Sequence, residues 1–300
     1  MGAWWSPCRA ARLLAVALPL VLASACQQDG SEPFAPASPS PDVPRSARKG
    51  VGTWYFPGGA RAMSDVGVSW YYTWRVDRRW EPAPVGVEFV PMIWDETHAN
   101  PEELRQAVET GTDILLGYNE PDHGEQANMT VTEALDLWPL LEGTGMRLGS
   151  PATAGDPTRP GSWLERFMDG VERRGYRVEF VCVHWYGTGA DAAGETRALE
   201  TLLRAVHGKY GKPVWLTEFA LVGWTTPPRF PTYEQQAAFA RQAVPMLESL
   251  PFVERYAWFA LPPWSADGVP ATTNLYDEVG TPTAVGAVYR SLPAVTAGTH

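Results

Sequence analysis

Histidine and cysteine are scarce in this 300-residue chain, with five of the first and three of the second. The cysteines are Cys8, Cys26 and Cys182; none stand at the close spacing of a structural zinc site, and three thiols make no disulfide framework. Cys182 lies inside an apolar run (180–183) and reads as a small buried core residue. Positive charge is also in deficit: 24 Lys and Arg face 34 Asp and Glu, a net charge of −10. That argues against nucleic acid or an anionic membrane surface as partner, since both need a basic patch. No glycine-rich loop follows an apolar run, which removes the usual nucleotide reading of an α/β chain. The apolar stretch at 13–22 is too short to cross a bilayer as an ordinary helix.

That short stretch instead fits an export signal. Arg9 and Arg12 precede it, and Ala23-Ser24-Ala25 follows as an A-x-A cleavage site. Cys26 comes next, so residues 1–25 are expected to be a signal peptide of lipoprotein type, with Cys26 acylated. Leu22 stands one place further from the cysteine than in the usual lipobox, and plain secretion is the alternative. Either route takes the protein out of the cytoplasm, with the membrane touched only through a lipid anchor. Residues 26–49, rich in Ser, Pro, Ala and charge, bury too little apolar surface to offset their ordering entropy and are expected to form a disordered tether.

Aromatics, by contrast, are plentiful, with 14 Trp among them. Residues 50–294 are expected to form one α/β domain, close to the usual size of a (β/α)8 TIM barrel. Candidate strands lie at 51–55, 68–74, 88–94, 114–119, 147–150, 178–186, 213–219 and 255–259. Helical patterns lie between most of them, at 101–109, 132–142, 162–174, 196–207 and 233–250, with 283–290 closing the ring. Thr132 and Ser162 read as N-caps, and Gly145, Gly175 and Gly208 as helix stops. The first two strand-to-strand links show little helical pattern, so the barrel is expected to be irregular there. A monomer is expected.

The apolar run Ile114, Leu115, Leu116 stops at Asn119-Glu-Pro-Asp122, as a doubly buried strand stops at the barrel mouth. Pro213-Val-Trp-Leu-Thr-Glu218 repeats the pattern. Glu120 and Glu218 therefore form a candidate carboxylate pair, with Asp95 and Glu96 as rivals; taken alone, such a pair is as readily a salt-bridge partner or polar rim. Other strand ends are aromatic (Trp70, Tyr72 and Trp74; Trp94; Trp185 and Tyr186; Trp258 and Phe259), and in a barrel they converge on the same rim. Indole faces suit pyranose rings, and two carboxylates suit glycosidic cleavage: one donates a proton to the leaving oxygen, the other attacks the anomeric carbon.

Gly117-Tyr-Asn-Glu-Pro-Asp122, Gln126-Ala-Asn-Met129, Val183-His-Trp-Tyr186 and Trp215-Leu-Thr-Glu-Phe-Ala220 together resemble glycoside hydrolase family 128, a clan A barrel family. Pro91-Met-Ile-Trp94, Gly149-Ser-Pro-Ala152 and Tyr256-Ala-Trp-Phe259 extend the resemblance over about residues 50–292. It implies a retaining endo-β-1,3-glucanase with Glu120 as acid/base and Glu218 as nucleophile, needing no metal or organic cofactor. It also implies that Asn119 binds the sugar 2-hydroxyl and that Tyr186 reaches the nucleophile. Trp74, Trp94 and Trp258 are candidate sugar platforms, with Tyr72 and Trp70 pointing the same way as Trp74 unless one of them fills the barrel. His184 shares strand parity with Tyr186 and is either a substrate contact or a core histidine. Thr73 stands where this family often has Asn, which puts a sugar contact there in doubt. A clan A hydrolase of β-1,4-glucan or mannan is the alternative within enzymes, and a non-catalytic carbohydrate-binding lipoprotein the alternative outside them.

Overall fold

A computed structural model of the protein describes residues 43–78, 84–189 and 191–293. The expected signal peptide, Cys26 and most of the tether lie outside these residues. The described end of the expected tether is folded: Val43 is buried, and Lys49 is fully buried. The Lys49 ammonium donates to the carbonyls of Val66 at 3.1 Å and of Tyr289 and Leu292 at 2.7 Å each. The folded domain thus begins before residue 50, because three carbonyls from distant segments make a site for one cation that no local pattern announces.

Eight parallel strands form a ring. They are β1 (Lys49–Gly52), β2 (Trp70–Tyr72), β3 (Glu88–Phe89), β4 (Ile114–Leu115), β5 (Arg147–Leu148), β6 (Val181–Gly187), β7 (Val214–Leu221) and β8 (Val253–Trp258). A six-stranded sheet runs β3-β2-β1-β8-β7-β6, and β4 pairs with β5. Single parallel bridges, Met92 to Leu116 and Gly149 to Phe180, join the two sheets on either side and close the barrel. Only α1 (Gly59–Asp65) lies between β1 and β2, and among the described residues no helix lies between β2 and β3; the irregularity expected there is present. The outer layer continues with α2 (Pro101–Glu109), α3 (Val131–Glu142), α4 (Trp163–Arg174), α5 (Ala192–Tyr210) and α6 (Tyr233–Ser249). A small antiparallel hairpin, β9 (Ser265–Ala266) with β10 (Val269–Pro270), then precedes α7 (Ala284–Arg290).

Side-chain caps set the helix starts. Asn100 accepts from the backbone N–H groups of Glu102 and Glu103, and Ser162 from that of Glu165. The cap of α3 is Thr130, not Thr132, because Glu133 answers Thr130 in a reciprocal capping box. Gly175 ends α4 as expected. Helix α5 runs through Gly208 and stops at Gly211, whose φ of 64° supplies the left-handed cap.

The barrel interior is filled by Trp70, Tyr72, Val90, Met92, Ile114, Leu116, Phe180, Cys182 and Trp215. Two indoles fit beside β1 because its inward positions are glycines: a Cβ on Gly50 would sit 2.3 Å from the Trp70 ring, and one on Gly52 2.6 Å from that of Trp74. At the floor, the Arg255 guanidinium lies 4.6 Å from the Trp215 ring centre and pairs with Glu88 at 2.6 Å. Arg147 makes a bidentate pair with Glu254. These contacts secure the N-terminal face of the barrel and leave the C-terminal face for chemistry.

One buried group in this frame is poorly served. Tyr118 is fully buried with its ring 5.9 Å from that of Trp138, and its hydroxyl has no partner among the described residues. Tyr118→Phe is expected to raise stability by about 1 kcal/mol in denaturant unfolding, since it removes an unsatisfied buried hydroxyl. A loss of stability would show that the hydroxyl is satisfied.

Candidate active site

The chain leaves strand geometry at both expected carboxylates. On β7, Leu216 pairs with Val183 but Glu218 pairs with His184, so Thr217 is an extra residue. This bulge reverses the alternation. Trp215 points inward, and two residues on Thr217 would do so again; instead Glu218 faces the mouth, while Phe219 packs outward against Phe239, Tyr256 and Trp258. After β4, Glu120 has φ of 44°, a left-handed conformation held by its N–H bond to the Ala152 carbonyl at 2.7 Å. Trp74, at the end of β2, also lies in this region at 58°. Such strain in non-glycine residues gathers where surrounding structure over-determines a functional geometry.

These turns bring Glu120, His184 and Glu218 together, with one polar atom of each within 4.8 Å of the others. Histidine Nδ1 lies 2.9 Å from Glu120 Oε1, and Nε2 lies 3.4 Å from Glu218 Oε1. Glu218, 5% exposed, is the better enclosed of the two acids. Its Oε1 accepts from the Trp74 indole at 2.8 Å and the Tyr72 hydroxyl at 3.3 Å, and its Oε2 accepts from the Tyr186 hydroxyl. Burial pushes the Glu218 pKa up. His184 pulls it down, Glu120 pushes it up, and the Tyr186 and Trp74 donors pull it down without cancelling the rise. For His184, burial opposes the cation, but the charges of Glu218 and Glu120 outweigh it and hold the pKa above the ordinary imidazole value. Burial and the nearby carboxylates raise both the Tyr72 and Tyr186 phenols, so they stay donors.

Asn119 sits on the inner side of the same turn, 4% exposed. Its amide donates to Gln126 Oε1 at 3.2 Å, and Oδ1 has no partner among the described residues. Trp94 is partly exposed, with its ring edge-on to His98. Two expectations change, for Tyr72 and Trp258, and the choice left open for Trp70 is decided. Tyr72 is fully buried, with its hydroxyl shared between the Thr217 carbonyl at 2.9 Å and Glu218 at 3.3 Å, so it meets no sugar. Trp70, equally buried, fills the barrel. Trp258 is buried on the outer side of β8, where its indole donates to the Thr273 carbonyl at 2.7 Å, and is no platform. Small Ala257 is the inward residue of β8, and that alternation already placed Trp258 outside and Phe259 at the mouth.

Phe259, expected at the rim but not as a sugar platform, takes the place of Trp258 there. Its ring centre lies 5.6 Å from Trp74, 5.8 Å from Tyr186, 6.2 Å from Trp54 and 5.2 Å from Trp264. Trp264 continues to Trp224, which is 45% exposed. Trp54, Trp224 and Trp264 come from loops with no periodic pattern, so sequence offered no signal for them beyond residue type. Thr73 does not face the mouth: its hydroxyl donates to the Asp77 carbonyl at 2.9 Å, so its difference from Asn falls on loop structure. Neither rival acid reaches the pair. Asp95 accepts from His98 and from Thr97, and Glu96 is exposed. Asp122 accepts from the N–H groups of Ala154 and Gly155 at 2.9 Å each and ties the β4 loop to the β5 loop.

Among the described residues, Glu120, His184 and Glu218 are also the one set of acid and imidazole groups close enough together to hold a metal ion. As they stand, the Glu218 oxygens are engaged by three donors, and Glu120 by the imidazole. A carboxylate pair at this separation suits attack by one acid with proton donation by the other, and is closer than the 6.5–9.5 Å or so that an intervening water requires.

A family model described as a glycosyl hydrolase catalytic core matches residues 58–289. Among solved structures, a family 128 (subgroup I) endo-β-1,3-glucanase from Amycolatopsis mediterranei, in complex with laminaritriose, is 46% identical. It covers 82% of this chain and 99% of its own, with a TM-score of 0.76. A subgroup II endo-β-1,3-glucanase from Sorangium cellulosum is 29% identical over 82% of this chain and 98% of its own, with a TM-score of 0.69. Among curated proteins, alkali-sensitive linkage protein 1 of Schizosaccharomyces pombe is 28% identical over 257 residues, which is 82% of this chain. The match spans only 45% of that relative's length.

Proposed function

The chain belongs to glycoside hydrolase family 128, and from that premise we propose that it hydrolyses internal β-1,3-glucan linkages with retention, Glu120 serving as acid/base and Glu218 as nucleophile. The carrying observation is the close approach of Glu120 and Glu218, within 4.8 Å at the barrel mouth. In the first step a Glu218 oxygen bonds to the anomeric carbon. The scissile C–O bond breaks, and its electron pair stays on the leaving oxygen, which takes a proton from Glu120. In the second, Glu120 removes a proton from water, the water oxygen bonds to the anomeric carbon, and the Glu218 carboxylate is released. Asn119, on the inner side of the turn beside Glu120, is the candidate partner of the sugar 2-hydroxyl; its buried Oδ1 has no partner among the described residues. Trp74, Trp94, Tyr186 and Phe259 form the walls against which sugar faces pack. Digestion of laminarin, a soluble β-1,3-glucan, tests the reading: oligosaccharides of mixed length should appear early. Glucose as the sole early product would overturn endo action, and cleavage of β-1,4-glucan or mannan alone would overturn the linkage.

The donors around Glu218 predict a pH response. Glu218 must be ionised to attack, so activity falls as pH drops through its raised pKa. Tyr186 stabilises the ionised form. Tyr186→Phe is expected to move the acid limb of the kcat/KM profile to higher pH and to lower kcat roughly tenfold or more, the worth of one charge-assisted hydrogen bond. An unmoved acid limb would remove Tyr186 from this role.

The same reading keeps the enzyme outside the cytoplasm, supported by the sequence of residues 1–26. Cys26→Ala is expected to shift the protein from the membrane to the soluble fraction. Equal membrane retention of variant and wild type would end the lipid-anchor proposal.

A further inference from the structure

We propose that His184 is a positioning residue for the catalytic proton: its Nε2–H, turned toward Glu218, keeps a proton on the Nδ1–Glu120 hydrogen bond until the leaving oxygen takes it. This rests on the roles proposed above for the two glutamates.

The ring is 6% exposed and wedged between both acids, with Nδ1 2.9 Å from Glu120 Oε1 and Nε2 3.4 Å from Glu218 Oε1. Acids supply the strongest charges acting on it: Glu218, Glu120 and, more weakly, Asp122. Asp122 spends its oxygens on two backbone N–H groups. Tyr72 and Tyr186, facing the same space, remain neutral donors to Glu218, and Cys182, on the same strand, is a buried neutral thiol pushed up by burial. Nε2 is buried and makes no hydrogen bond among the described residues, its 3.4 Å approach to Glu218 being an electrostatic contact. A bare Nε2 would bring its lone pair close to a buried carboxylate, whereas Nε2–H turns that repulsion into attraction. With Nε2 protonated, two arrangements satisfy Nδ1. It accepts from a protonated Glu120, or it donates as imidazolium to an ionised one. They differ only by a proton crossing the 2.9 Å hydrogen bond, so in both the proton needed by the leaving group is already in place.

The first step removes that proton, and Glu120 is left ionised against the Nδ1 lone pair. Taking a proton back relieves this contact, and the second step supplies one from water as its oxygen bonds to the anomeric carbon and the electron pair of the broken ester bond returns to Glu218. The Nε2 proton never moves. One histidine thereby loads the acid and resets it after each turnover.

The test separates proton delivery from structural support. In His184→Phe, kcat/KM on laminarin should fall about 100-fold, and the alkaline limb of its pH profile should move to lower pH. The aryl glycoside 2,4-dinitrophenyl β-laminaribioside, whose leaving group needs no proton, should lose less than about threefold in kcat/KM. Equal losses on the two substrates, or an unmoved alkaline limb, would overturn the proposal. If the phenylalanine variant fails to fold by circular dichroism, His184→Gln is read by the same ratio. Nitrogen-15 NMR of wild-type His184 near pH 6 gives an independent reading: a protonated Nε2 supports the proposal, and a bare Nε2 beside a protonated Nδ1 overturns it. A wild type inactive on laminarin would end the functional reading above, while the NMR result would still decide the histidine.

Discussion

Glu218→Ala is expected to lower laminarin hydrolysis by a factor on the order of 10⁴ or more, because it removes the carboxylate proposed to form the glycosyl–enzyme bond. The fold should survive. Removing an acid whose pKa burial raises relieves a buried charge, although it leaves the Trp74 and Tyr186 donors unanswered, while Tyr72 keeps the Thr217 carbonyl. Azide diffusing into the vacated space should restore turnover of an activated aryl glycoside and give a product of inverted, α configuration, since the anion attacks from the nucleophile's side. Residual laminarin activity within tenfold of wild type would assign the attack elsewhere. Glu218→Gln is expected to be nearly as inactive, because its amide keeps the volume and loses the nucleophile.

Glu120→Ala should separate the two steps. On laminarin the loss is expected at about 10³-fold, within the range of general acid–base catalysis, since a sugar alkoxide is a poor leaving group. On a 2,4-dinitrophenyl glycoside the first step should be nearly unaffected. The glycosyl–enzyme then accumulates, because water lacks its base. Azide, which needs no base, should accelerate turnover and give the retained β-glycosyl azide. The opposite azide configurations in the two variants tell the two acids apart. An α-azide from Glu120→Ala would exchange their roles.

Sequence reading reached the barrel and both acids for a physical reason. A strand buried on both faces reads as an apolar run that stops where the polar site begins; Ile114–Leu115 and the Val214-Trp-Leu216 start of β7 carry that mark, although β7 itself continues through Glu218 to Leu221. Helix boundaries were legible where a cap was local, as at Asn100–Pro101 and Ser162. The start of α3 slipped from Thr130 to the nearby Thr132, because the deciding partner was the Glu133 side chain, three residues beyond the true cap. Trp258 was misplaced despite an available alternation. The aromatic-rich rim was real, but richness says nothing about which face each ring takes.

Residue order alone carried the parallel eight-fold alternation and the two glutamates at strand ends, since burial and strand periodicity are written locally. It could not say that Glu218 turns inward. Simple alternation from Trp215 would send it outward, and only pairing of Leu216 with Val183 and of Glu218 with His184 makes Thr217 the bulge. Nor could it say that His184 touches both acids, or that Lys49 is caged by carbonyls as distant as Leu292. Those facts depend on neighbours supplied by closure of the ring, where contacts between residues far apart in sequence determine the direction of a side chain and the position of a proton.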